Sequence, residues 1–557
     1  MSRLLQTSIY SLQANKSKNN NNNNNNNNKN GRSKFQLTRL NSDILSFHLV
    51  PFLDPEDIIS LFLTCKSIHS MLDNEIVWHE LYTKSFQSVP QLTSVPITPE
   101  IVTRENSNSG NTTPTSGSHR TNISQGRCSS WHDCYKVLRR AKFYSWGAHG
   151  SSKRLGNLEN NYNRYTCKPL ESKIPLKKGA GESIVKVDAG GYSFQILTSQ
   201  GKLYSTGAGK LGLVDTDNKK VKFFSSGRTQ YIAINEKNEL LVGDADNKEV
   251  IKPDWFMRRT SLTLQEPDVT HIMDPARKLE IYEPESLNIY EVKAGRHMAS
   301  CRTSGVLSGI ILWRRPSVLA FQEDGLFRPL IEFQFCEACF ISDNENDPIL
   351  DYILLSECVI YITKSGSLYR VDISSEDNED NEDDEWTLSA PIPGVVHKLT
   401  NFHSYANSHR VDKFCSENPK FVKISGYFHN FAVVTDDGQL LLGKSESDFP
   451  EIIDELQPDG LNSADDGKRH VIVSVAVGYG HYLALNDKGE VYSWGIEFEC
   501  CGACGLGTRD EVIQKGWGRG YRNLEIPKPQ KVEFGDGLIA LDVCACGCQS
   551  GALVSRL

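Results

Sequence analysis

Three groups of residues have types and spacings that could do chemistry. Cys336-x-x-Cys339, Cys500-Cys501-x-x-Cys504 and Cys544-x-Cys546-x-Cys548 bring thiols to the short separations that suit tetrahedral zinc. His429 and His481 recur at one position of a repeated pattern. Gly207-Ala208-Gly209-Lys210 has the outline of a phosphate-cradling loop. Context argues against each. Cys500 to Cys504 fall in a glycine-rich turn, and 544, 546 and 548 alternate along a strand face ending beside Gly547, where cysteine reads as a small buried residue. The histidine position is taken by Ser193 and Gln230 in other copies, which fits a polar group satisfying backbone. The glycine-rich piece lacks a strand-loop-helix setting and a Lys-Ser/Thr ending. The expectation is therefore no catalytic residue, no cofactor and no metal.

The elements that position these residues must fill 557 positions, too many for one ordinary core, so two units or a repeat are expected. Hydrophobic residues at 39% and charged residues at 23% are ordinary for a soluble chain, and no apolar stretch approaches the ~18 residues of a membrane span. The net charge is -8 but uneven. The first 42 residues carry bases and no acid, while Glu376 to Glu385 is almost wholly acidic. That run reads as a solvated insertion, with a role in holding a basic partner as the alternative. No basic surface suited to nucleic acid is implied. Fifteen cysteines and no secretory core in Met1 to Tyr10 favour a reducing compartment. The Asn-rich segment 1–37 reads as a disordered tail, against a mitochondrial transit peptide.

From Leu40 to Phe86 apolar residues fall at helical spacing. Ser42 or Asp43 can cap a first helix carrying Ile44, Leu45, Leu49 and Phe52, which Pro51 should kink or end. Asp54-Pro55-Glu56-Asp57 starts a second carrying Ile58, Ile59 and Leu63, and a third runs from about Lys66. So many apolar residues in so short a segment call for a partner surface. The segment resembles an F-box, through Leu40, Ile44-Leu45, Leu53-Asp54-Pro55, Cys65-Lys66 and Val77-Trp78 in that order, with Asn41 where the family usually has proline. The resemblance implies an F-box over 38–86 that docks on a Skp-type adaptor through Leu40, Ile44, Leu45, Leu49, Leu53, Pro55, Ile58, Ile59, Leu63 and Trp78.

Residues 87–130 are rich in Ser, Thr, Pro, Asn and Gly and read as a flexible linker, cut first by proteases to release the C-terminal part of the chain. A helix over 131–142, with Trp131, Tyr135 and Leu138 on one face, reads as a spacer. From 143 to 557 the chain repeats. Val471 to Gly495 is the clearest copy, two alternating strands around the turn Asn486-Asp487-Lys488-Gly489; others start near 184, 221, 289, 352, 421 and 538. The last copy lacks its final strand and Phe143 to Gly147 supplies one of the same type, so the ring should close through that pairing. Trp146, Gly147, Gly190, Gly227, Gly295, Gly426, Gly478, Trp494, Gly495 and Gly547 are the structural positions. The pattern, with the short Arg154 to Gly156 and Gly209 to Gly212 loops, resembles regulator-of-chromosome-condensation repeats, which implies a seven-bladed β-propeller.

The expected fold class is thus α plus all-β, a small helical F-box followed by a seven-bladed propeller. The pairing resembles the fungal SCF-associated factor class. That implies a non-catalytic substrate receptor of a Skp-cullin-F-box ubiquitin ligase, cytoplasmic or nuclear, joined through the adaptor to cullin and RING subunits and holding an unidentified protein on the propeller for degradation. The alternative is a guanine-nucleotide exchange factor or chromatin-associated regulator.

Overall fold

A computed structural model describes residues 41–87, 128, 130–149, 154–156, 165–176, 182–206, 211–216, 218–244, 250–251, 255–262, 280–282, 287–296, 298–305, 308–314, 319–321, 327–329, 335–374, 392–409, 418–457 and 471–556. The tail 1–37, Leu40, nearly all of the linker and the acidic run lie outside them.

The first helical segment, Ile44–Leu49, is loosely wound: the Val50 N–H donates five residues back to Leu45 O. Neither Ser42 nor Asp43 caps it. The Asn41 side-chain oxygen does, accepting from Asp43 N at 3.3 Å, so the residue that departs from the F-box pattern takes the capping role. At Pro51 the segment gives way to one tight turn, Val50–Phe52. Lys84 then crosses the module to donate to the carbonyls of Val50, Pro51 and Leu53 at 3.3, 2.8 and 2.6 Å, satisfying acceptors that the proline turn leaves open. Pro55–Phe62 begins with proline in its first turn. Lys66–Leu72 follows, and Glu75–Tyr82 is capped by the Asn74 side chain, which accepts from Ile76 and Val77 N–H.

The Trp131–Arg139 helix is capped by Ser130 and touches both units. On one side Trp131 packs on Tyr82 (5.0 Å between ring centres), His132 on Trp78 (4.1 Å) and Tyr135 on Phe86 (5.6 Å). On the other, Val137 O accepts from Ser555 Oγ at 2.6 Å, and Arg139 donates to Glu182 O. The buried cores of module and propeller are continuous through it.

The propeller has seven blades, and its ring closes where the sequence places the closure. Blade 1 is made of Leu538–Cys546, Gln549–Arg556, Lys142–Ala148 and Tyr165–Glu171, with Phe143 opposite Leu553 and Gly147 opposite Gln549. Blade 2 runs from Ile184–Ala189 to Gly212–Leu213, and blade 3 from Val221–Ser226 to Val250–Ile251. Blade 4 starts at Asn288–Ala294; outside its fourth strand, Phe335–Ser342, lie Trp255–Leu262, parallel to it, and Glu280–Tyr282. Blade 5 runs from Ile349–Leu354 to Ile392–Lys398, blade 6 from Phe421–Tyr427 to Glu451–Ile452 and blade 7 from Ile472–Val477 to Leu524–Val532.

Candidate functional site: an uncovered apolar face and the mouth of the propeller

The first two strands of each blade are joined by a tight turn, and the seven turn tips surround one end of the central channel. Just before the tip stands Gly190, Gly227, Gly295, Leu355, Tyr427, Gly478 or Cys546, whose partner across the hairpin is Ser193, Gln230, Met298, Cys358, Asn430, His481 or Gln549. A methyl group added at Gly190 or Gly227 would sit 2.7 or 2.5 Å from the carbonyl oxygen of Gly227 or Gly295 on the next blade, and one at Gly295 would meet Leu354 of blade 5 at 2.8 Å. These glycines permit blade-to-blade contact. At Gly478 the added atom would fall 2.0 Å from the His481 ring.

Two assignments are corrected by this register. Tyr427 and Cys546 occupy the repeat-glycine position in blades 6 and 1, while Gly426 lies one residue before it and Gly547 is a tip residue. Asn430, not His429, is the counterpart of His481. His481 bonds to Ser550 Oγ on the neighbouring blade at 2.8 Å rather than to backbone, and burial pushes its pKa down to about 4. His429 meets Ser445 at 3.1 Å. Cys548 also leaves the strand face of Cys544 and Cys546, because the strand ends at Cys546 and the turn at Gly547 carries it to Cys501.

The remaining marked positions are structural. Trp146 is buried and donates to Ala503 O at 2.8 Å, clasping the Cys500-to-Gly507 loop of blade 7 onto blade 1. Inside that loop, buried Glu497 accepts from Gly502 and Cys504 N–H at 3.2 and 2.7 Å, and burial holds its carboxyl above the usual range. Trp494 stacks on Tyr482, and Gly147 and Gly495 share a positive φ. Cys339 is buried. Among the described residues no group of three or more His, Cys, Asp or Glu is placed to hold a metal. The channel contains a cavity of about 430 Å³ lined by charges of both signs, including Lys186, Asp188, Glu291, Lys293, Lys423 and Asp542.

At the mouth the tips read Gly191-Tyr192, Arg228-Thr229, Arg296, Ser356-Glu357, Phe428-His429, Tyr479-Gly480 and Gly547-Cys548. Consecutive blades are stitched together here by Gly191 N–H to Gly227 O (3.0 Å), Arg228 N–H to Gly295 O (3.2 Å), Ser356 N–H to Phe428 O (2.9 Å) and Tyr479 N–H to Gly547 O (2.8 Å). Tyr427 reaches inward from the position that glycine holds in other blades. Burial raises its phenol pKa, opposed by Arg228 and Arg296 nearby, and its hydroxyl hydrogen-bonds to Cys546.

The helical module has a different character. Leu45, Leu53 and Ile58 are buried in its own core, Leu49, Ile59 and Trp78 are half-buried, and Trp78 stacks on Phe62 at 5.0 Å. Pro55 lines a cavity of about 950 Å³ between the module and blade 2. Ile44 and Leu63 are exposed, and so are two residues outside the expected adaptor set, Phe47 and Phe52, with Phe52 82% and Leu63 79% accessible. Leu40 lies outside the described residues. Large apolar chains left this open are characteristic of an interaction surface.

The architecture is therefore a seven-bladed propeller locked to a small helical module with an uncovered apolar face. Residues 472–502 match the regulator of chromosome condensation (RCC1) repeat. The chain is similar to SCF-associated factor 1 of Saccharomyces cerevisiae, 22% identical over 692 residues that cover 93% of this chain and 98% of that one. It is likewise similar to F-box protein pof9 of Schizosaccharomyces pombe, 23% identical over 544 residues covering 94% of this chain and 90% of the relative. Among solved structures it is similar to Prp20p of Saccharomyces cerevisiae, described with its binding to Gsp1p and histones. That likeness is 15% identical with a TM-score of 0.46, covering 76% of this chain and 94% of that one.

Proposed function

We propose that this chain is the substrate-recognition subunit of a Skp-cullin-F-box ubiquitin ligase, without catalytic activity of its own. The observation that carries the reading is that four large apolar side chains, Ile44, Phe47, Phe52 and Leu63, are exposed on a small module fixed to a propeller. Fully burying one such side chain is worth roughly 1.5 to 3 kcal/mol, so a Skp-type adaptor covering this face would gain enough to dock firmly. The Trp131–Arg139 helix then holds the propeller at a fixed angle to the recruited enzymes, so that a bound protein is presented rather than tethered loosely. Names of the two relatives that span nearly the whole chain support the same role.

Co-purification of the full chain with a Skp adaptor tests the reading. The chain should retain the adaptor, and F52D with L63D should lose it while remaining folded. A second reading, an exchange factor or chromatin-associated regulator, is favoured by the repeat match alone. It predicts accelerated nucleotide release from a small GTPase and no dependence on Phe52.

A further inference from the structure

We infer that the ring of turn tips at the propeller mouth is the surface that engages the target, and that it takes an acidic segment bearing an aromatic side chain. This rests on the reading that the propeller holds a protein.

Three guanidinium groups converge at this end of the channel, from Arg154, Arg228 and Arg296. Arg296 lies 4.2 Å over the Phe428 ring and Arg154 lies 5.4 Å over Tyr192. Arg154 spends its donors on the backbone oxygens of Ala148 and Gly191. Arg296 Nε is buried with no hydrogen-bond partner. Among the described residues none of the three forms an ion pair, with exposed Glu357 and Glu499 or with any other acid. In a chain of net charge -8 this is a local concentration of positive charge held without ion-pair partners.

The aromatic residues complete the surface. Tyr192 and Tyr479 are 40% and 39% accessible, and Phe498 packs against Tyr479 at 4.8 Å, itself 5.5 Å from Phe428. Phe428 carries a left-handed backbone, φ +61, a conformation that bulky residues rarely adopt. Strain of this kind persists where the surroundings impose it, and it clusters at functional sites. Here it presents the ring under Arg296. Guanidinium groups backed by aromatic faces pair with carboxylates while leaving flat apolar area for a ring, which is the chemistry of an acidic, aromatic-bearing peptide. The occupant is a segment of another protein, because the guanidinium groups and the exposed rings are spread over the tips of several blades.

The probe is a random glutamate-tyrosine copolymer, compared with polyglutamate, titrated into the full chain at physiological salt. The copolymer should bind more tightly than polyglutamate. R228Q with R296Q should weaken it at least tenfold, Y479A should weaken it several-fold, and K220A with K222A, exposed on blade 3 away from the mouth, should leave it unchanged. Thermal midpoint and adaptor capture are measured on each variant. Unchanged binding in a folded R228Q/R296Q variant overturns the inference, as does equal loss in K220A/K222A, which would mean diffuse charge. Self-association abolished by R228Q/R296Q would also overturn it, since the occupant would then be a second copy. Adaptor capture reads out the ligase role separately: its loss in the wild-type chain contradicts that role, whatever the copolymer does.

Discussion

Arg296 of blade 4 lies 4.2 Å above the ring of Phe428 on blade 6, so the pair spans blade 5. The stack is held by backbone geometry, because Phe428 sits at φ +61 and its carbonyl accepts from Ser356 N–H at 2.9 Å. Phe428→Gly relieves about 1 to 2 kcal/mol of backbone strain and forfeits a half-buried ring of comparable worth. The thermal midpoint should therefore stay within a few degrees of wild type while copolymer binding falls. A large drop in midpoint would show that Phe428 serves the fold and not the mouth.

Ring closure makes the two ends of the repeat region interdependent. Lys142–Ala148 supplies the third strand of blade 1 and pairs along most of its length with Gln549–Arg556. Its removal strands the backbone of both neighbours, each unsatisfied buried group costing about 1 to 3 kcal/mol. A chain lacking 142–148 should lose its protease-resistant core. An equally stable product in the same digestion would contradict closure.

The bridging helix changes what proteolysis should yield. Composition predicts cleavage between Pro90 and Gly126, outside the described residues, with release of the propeller. The aromatic contacts of Trp78 with His132 and Tyr135 argue that the nicked chain stays together. The two fragments should co-elute on native size exclusion and separate only in denaturant. Trp78→Ala removes this contact at a cost of about 3 to 5 kcal/mol and should let them part. Separation of wild-type fragments would show that the contact is too weak to orient the module.

Two histidines, His481 fully buried and His403 half-buried, set an acid limit on stability. Burial holds both His481 and His403 down to about 4, and His403 Nε2 accepts from Leu368 N–H at 3.2 Å, which requires a neutral ring. Their unfolded pKa is about 6.5, so the unfolded chain binds more protons between that value and 4. Their stabilising contribution is complete above about pH 6.5 and declines as pH falls toward 4. Unfolding free energies from urea titrations at pH 7 and 5 should differ by up to about 2 kcal/mol per histidine, and H481N should remove its share. A flat profile between those values would contradict the neutral assignment of both rings.

The blade count, the closing strand and the helical module were legible in the sequence because they rest on period-2 hydrophobic strands, recurring turns and a capped, proline-started helix. What escaped was register. Gly426 and Gly547 look like the repeat glycine, yet each is displaced by one residue, because Tyr427 and Cys546 take its place and meet across the channel. The blade 3 copy was legible even though its second hairpin turn carries Asn238, at φ +64, where other copies use glycine. In the module, spacing identified apolar positions but not which of them turn outward: Leu45 and Ile58 are internal, while Phe47 and Phe52 are open. That division depends on where Pro51 ends the first segment and how Lys84 ties it down. The arginine and aromatic tips could have been found by reading the position after the glycine in every copy, which is variable in type and so invisible to a search for repeats.

The central claim is that the uncovered face of the helical module recruits a Skp adaptor, and the most direct measurement is adaptor affinity by titration calorimetry for the wild-type chain and for F52D/L63D. Placing a carboxylate at each of two apolar interface positions costs about 2 to 4 kcal/mol per site, so affinity should fall by at least a thousandfold with the thermal midpoint preserved, because both side chains are exposed in the free chain. Adaptor binding that is absent from the wild type, or equal in the folded variant, would contradict the account.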